Sequence, residues 1–140
     1  MAHVGNAGIE GGYHEDPEEC AFRLGRYLFD HGLDFDFLDR DSIAAARVED
    51  GCLIAGSAGY RVVILPSMQA LSHSNALKLL AFVERGGWVV AFGSLPEASD
   101  LAGREDGEFD ALMTRIFGDV GGPSDHSKVH AGGGVAWTLE

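Results

Sequence analysis

Ser67 follows Pro66 at the end of the apolar run Tyr60-Arg-Val-Val-Ile-Leu-Pro66, and Ser94 follows Gly93 at the end of Trp88–Phe92. A serine just beyond a strand is where an α/β protein places a nucleophile, provided a histidine and an acid stand by to take its proton. His73 lies a short loop beyond Ser67, so Ser67, His73 and Ser94 are the candidates for a serine-type hydrolase. No orienting acid is identifiable beside them, and neither serine sits in a Gly-x-Ser-x-Gly turn. Turn formation or helix capping accounts for Ser67, Ser94 and Ser99 without catalysis. The same turns, through Ser67, Gln69, Ser94 and Glu97, are the candidates for a sugar or small-molecule site, because open α/β sheets bind ligands at the carboxyl ends of their strands.

Other reactive groups have simpler uses. Asp34 and Asp36 share one face of an alternating segment, about 7 Å apart at strand rise, within the range of paired glycosidase carboxylates. The coincidence is weak, and an exposed edge-strand face explains them without catalysis. His126 and His130 have ligand spacing only on a helix, and the glycines that follow them argue for a loop, so no metal site is expected. Gly5, Gly8, Gly11 and Gly12 follow no firm strand and precede no lysine-serine pair, so no nucleotide loop and no cofactor is expected. Cys20 and Cys52 lack a metal or redox spacing and read as buried free thiols. Trp88, Trp137 and Tyr60 are assigned to core packing.

The elements that must position these residues are legible in the periodicity. Asp16-Pro17-Glu18-Glu19 starts a helix that Gly32 ends. Leu33–Leu38 alternates apolar and acidic residues and predicts an edge strand around Phe35. A short helix capped by Asp41 or Ser42 leads through the turn Glu49-Asp-Gly51 to a strand over Cys52–Ala55, and Gly56–Gly59 turns again. Val62–Leu65 predicts a central strand. Ser72 or Ser74 caps a helix with Ala76, Leu77, Leu80 and Val83 inward, closed by Gly86 and Gly87. Trp88–Phe92 is a second central strand. A helix over about Glu108–Phe117 buries Phe109, Leu112, Met113 and Ile116, Gly118–His130 reads as loop, and a last strand runs to Leu139 near Ala136. The implied fold class is a three-layer α/β/α sandwich with a mainly parallel sheet, residues 16–140 forming one domain after a lead-in over residues 1–15.

Composition narrows the partners. The 140 residues carry 22 acidic and 10 basic side chains, a formal charge of -12, and 46% hydrophobic residues. That field repels phosphate backbones, so nucleic acid is not an expected partner. No apolar run reaches the roughly 20 residues of a membrane span and no signal pattern opens the chain, so a soluble, by default cytoplasmic, domain is expected.

The series Asp34-Phe-Asp-Phe-Leu-Asp39, Glu49-Asp-Gly51, Tyr60-Arg-Val-Val-Ile-Leu-Pro66, Phe82-Val-Glu-Arg-Gly-Gly87 and Phe92-Gly-Ser-Leu-Pro-Glu97 resembles the class I glutamine amidotransferase-like domain carried by large bacterial glycoside hydrolases. The α-L-rhamnosidase-like group is closest in character, and the trimerisation domain of family 42 β-galactosidases is similar in layout. The resemblance covers about residues 16–139 and implies a flavodoxin-like sheet order. It also implies a non-catalytic accessory domain whose partners are the other domains of a parent glycoside hydrolase or further copies of itself. The cysteine that glutaminase chemistry needs on a strand-end turn is absent, since the turns offer Ser67 and Gly93-Ser94 instead.

Overall fold

The computed structural model describes residues 17–68, 70–100, 106–119 and 125–139. The lead-in over residues 1–15 lies outside them. Helix α1 (Pro17–Asp30) carries Glu18 and Glu19 in its first turn, where acids complement the helix dipole, and ends at Gly32, whose φ is +68°. The segment after it forms no strand, contrary to the alternation of Leu33–Leu38. Its side chains are used one by one. Phe35 and Phe37 meet edge to face and approach Gly25 of α1, while Asp36 accepts a 2.6 Å hydrogen bond from the Tyr60 hydroxyl. Held by these contacts, the segment pairs with no strand. Asp39, whose carboxylate accepts from Ser42 N, then caps α2 (Arg40–Ala45).

Two tight turns next fold the chain into an antiparallel meander of β1 (Arg47–Glu49), β2 (Cys52–Ala55) and β3 (Ala58–Tyr60). The first turn is Asp50-Gly51, both at positive φ, which is the two-residue hairpin that Asp-Gly favours. The second has Gly56 at its first central position, φ +61°, and converts the stretch expected to be a plain turn into a third strand.

The second sheet has the order β4-β5-β7-β6, formed by β4 (Val62–Pro66), β5 (Trp88–Phe92), β6 (His126–Val129) and β7 (Val135–Leu139). β4, β5 and β7 run parallel, and β6 is antiparallel to β7. The three-layer, mainly parallel flavodoxin-like sandwich is therefore not the fold. Seven described strands divide into two sheets, one wholly antiparallel and one mixed. Two local choices produce this result: Leu33–Leu38 is not available as a parallel edge strand, and part of the expected loop 118–130 returns as β6. β4, expected in the centre, stands at an edge.

Helix α3 (His73–Glu84) connects β4 to β5. Ser72 caps it, accepting from Asn75 N at 3.2 Å, and Gly87 N donates to Phe82 O while Gly86, φ +103°, takes the left-handed position. Its buried set is wider than the expected stripe: Leu79 and Phe82 are inside and Leu77 is 47% exposed. α3 packs on α2, α4, β1 and β5, so two of its flanks need apolar cover. Helix α4 (Gly107–Phe117) buries Phe109, Leu112, Met113 and Ile116, as its periodicity predicts. These side chains, with Leu53 from the meander, close over one face of the mixed sheet at Leu65, Val89, Ala91 and Ala136.

The register fixes what lies on the other face. Val62, Trp88, Val135 and Val129 form one row, Ile64, Val90, Trp137 and Ser127 the next, and Pro66, Phe92 and Leu139 the third. Every side chain on this face except Ser127 is apolar, and none of them is fully buried. Trp88 is 47% exposed and meets Trp137 edge to face with centroids 5.1 Å apart, so the two tryptophans are not core residues. Tyr60 is likewise only half-buried. Cys20 is buried in α1, but Cys52 is half-buried in β2.

Candidate functional site

The carboxyl ends of β4 and β5 bring Ser67 and Gly93 together. Ser67 N donates to Phe92 O at 2.7 Å, and a Cβ built on Gly93 would stand 3.0 Å from Ser67 Oγ. Ser67 is buried and has a φ of +30°, a backbone state that a serine rarely adopts and that strand-end nucleophiles do use. Here the neighbouring strand explains it. The turn bends so that its N–H reaches Phe92 O, and the hydroxyl fills the space that glycine leaves.

Beyond these turns the chain continues the parallel relationship through the bridge Ala70↔Ala98, with Leu71 N donating to Ala98 O at 3.1 Å. The loop then delivers Ser99 and Asp100 to the amino ends of two helices. Asp100 accepts from His73 N at 2.8 Å and from Arg40 Nη2 at 3.0 Å, which ties α2 to the start of α3. Its carboxyl is held below the usual aspartate range, first by the His73 N–H and further by the Arg40 charge. Asp106 caps α4, accepting from Phe109 N at 3.0 Å and from the Ser99 hydroxyl at 2.5 Å. The Ser99 hydroxyl and then the Phe109 N–H lower its pKa. Asn75 Nδ2 donates to Arg40 O, and Lys78 Nζ donates to the carbonyls of Ile43 and Ala44, closing the last turn of α2.

This cluster is built to hold helices. Each of the two carboxylates accepts two hydrogen bonds and is depressed, which makes it a poor base. The Ser99 hydroxyl donates its hydrogen bond to the Asp106 carboxylate. His73 does not reach Ser67: its backbone bonds Asp100, and its buried Nδ1 has no partner among the described residues. Its ring lines an open groove of about 300 Å³ between α3 and α4, with Leu77, Glu108, Ala111, Leu112 and Arg115. Ser94 is half-buried, Glu97 is exposed, and Gln69 lies outside the described residues. His126 stands on a strand, and the His130 ring bonds Ile116 O at 2.9 Å. Among the described residues no group of three or more His, Cys, Asp or Glu is placed to hold a metal ion. Among them also, no helix is long and apolar enough to cross a membrane.

The structure thus joins Ser67 to Gly93 and leaves Ser67, His73 and Ser94 unassembled. The Asp106 cap was missed by the sequence reading, although an aspartate just before an apolar helix is a capping signal. Asp100, capping α3 from a distant loop, left no local signal. The depressed acids give a pH dependence with a definite sign. Each contributes stability that is present above the ordinary aspartate value of 3.8 and is lost as pH falls through its lower folded value. Asp106→Asn is therefore expected to lower Tm at pH 7, with the gap to wild type closing as pH falls below about 4. Thermal melts at pH 7 and pH 3 check this.

No protein-family model, no curated protein and no solved structure matches the chain.

Proposed function

We propose that this chain is a non-catalytic docking module, an accessory domain of a carbohydrate-active glycoside hydrolase that serves architecture or assembly. The observation that carries the reading is the open face of the mixed sheet. A face that is apolar in every row and leaves Val62, Trp88 and Val129 at 44%, 47% and 71% exposure is a surface that binds another surface. The reactive side chains favour the same reading, since the acids at the helix starts are occupied as caps and Ser67 packs against Gly93. The link to glycoside hydrolases rests on the sequence resemblance.

The test is direct. The purified chain is expected to release no chromophore from aryl glycosides or aryl esters. Ser67→Gly should leave that baseline unchanged and shift Tm little, because relief of positive-φ strain, about 1 kcal/mol, is offset by the loss of the hydroxyl's packing against Gly93. Turnover by the wild type that disappears in Ser67→Gly would establish a serine hydrolase instead.

A further inference from the structure

We infer that the open face is covered by α1 of a second copy of this chain, reciprocally, in a two-fold dimer. This deepens the docking reading and rests on it. α1 packs on β4 and supplies no side chain to the core under α3 and α4, so it lies at the β4 margin of the open face. It uses Cys20, Ala21, Leu24 and Gly25 for its own contacts, and it keeps a second apolar ridge, Phe22 and Phe29, at 60% and 77% exposure. These two aromatics are seven positions apart, two helical turns, and so stand on one line of the helix. Among the described residues the chain therefore has two unpartnered apolar surfaces of matched kind, a helix ridge and a sheet face, and a two-fold axis satisfies both in both copies.

Dimensions favour this arrangement over sheet against sheet. β5, β7 and β6 span about 14 Å at a strand spacing near 4.8 Å, room for one helix of about 10 Å diameter beside the α1 already at β4. Two bare sheet faces would remove on the order of 600 Å² in projection, short of the roughly 1,000 Å² that a specific contact needs. Seating two helices, each about 20 Å long, on two such faces gives about 800 Å² in projection, nearer to that threshold than sheet against sheet. An interface of this small size belongs to the weak, transient class, so association is looked for at micromolar concentrations and above. The ionisable side chains of the mixed sheet, His126 and Lys128, point to the α4 side, so the open face itself presents no charge, and Arg26 of the seating helix, between Phe22 and Phe29, pairs with Asp30.

Sedimentation velocity between about 1 and 200 µM, bracketing a micromolar Kd, tests the inference. The wild type is expected to shift from monomer to dimer across that range. Phe29→Asp and Val129→Asp, one on each proposed surface and both at sites too exposed to threaten folding, should each weaken association at least tenfold. Leu77→Asp, on the α3–α4 groove, should leave it unchanged. A wild type that is monomeric at 200 µM, or a Phe29→Asp variant that associates like wild type, overturns the second copy as occupant. A naphthalene-sulfonate dye then separates the two levels. A monomer that binds dye through this face, losing the binding in Val129→Asp, keeps the docking reading with a different partner, and a monomer that binds none overturns both.

Discussion

Gly134→Ala is expected to cost about 4 kcal/mol, at the severe end for a single methyl group. The reason is a close approach of backbone to backbone. A Cβ on Gly134 would stand 1.8 Å from Val83 O and 2.7 Å from Gly87 O, and real Cβ atoms do not come that near. Both neighbours are main chain at the end of α3, so no side chain can swing away. Either β7 withdraws from the start of β5 or α3 loses its last turn, and each choice opens the core. In a domain of this size the loss should lower Tm by more than 10 °C. Gly133→Ala is the control. Its φ of +88° is unfavourable for alanine, but nothing lies within 4 Å, so a cost of about 1 kcal/mol is expected. Chemical denaturation of the two variants separates steric exclusion from backbone preference, and equal costs would refute the close approach.

Phe82→Ala should destabilise by about 3–5 kcal/mol through the cavity it leaves. Phe82 is fully buried near the end of α3, and its ring occupies the space next to Gly87, where a Cβ would lie 2.3 Å from it. The two positions are one packing unit. Gly87→Ala alone should destabilise by driving a methyl group into the ring, whereas in the Phe82→Ala background the same methyl group enters empty space. The double variant should therefore be more stable than the sum of the single losses, by about 1 kcal/mol or more. Additive losses would mean that the ring does not fill the glycine's space.

These two sites also show what could be read from the sequence. Gly86-Gly87 after an apolar helix signals a left-handed helix end, and that end is present at Gly86. The strands near Val63, Val90 and Ala136 were legible because β-branched and aromatic runs bounded by turns have few other uses. Leu33–Leu38 misled because strict alternation describes a strand only if a neighbour offers a ladder. Phe35 and Phe37 instead pack on Gly25, and Asp36 takes the Tyr60 hydroxyl. β6 was hidden because His126-Ser-Lys-Val129 has little strand preference of its own and is held by pairing to β7.

The candidate site was less legible than the fold. Ser67 and Gly93 were visible as strand-end turns, but nothing local says that one turn fills the other. Asp100 reaches His73 from another loop, a contact with no sequence period. The open face was concealed by its own composition. Val62–Leu65 and Trp88–Phe92 are apolar on both faces, which is how a strand looks whether its second cover comes from the same chain or from another molecule. Only the register, with the exposure of Trp88 and Val129, distinguishes the two cases.

The sequence contains two tryptophans, Trp88 and Trp137, and both stand on that face, so intrinsic fluorescence reports on it alone. The decisive measurement is acrylamide quenching of this emission in the dilute wild type and at high concentration, beside Phe29→Asp. Quenchable, red-shifted tryptophans are expected in the dilute protein and in the variant, and protected, blue-shifted ones in the concentrated wild type. Tryptophans equally protected in all three samples would mean that the chain covers this face by itself, and would contradict the account.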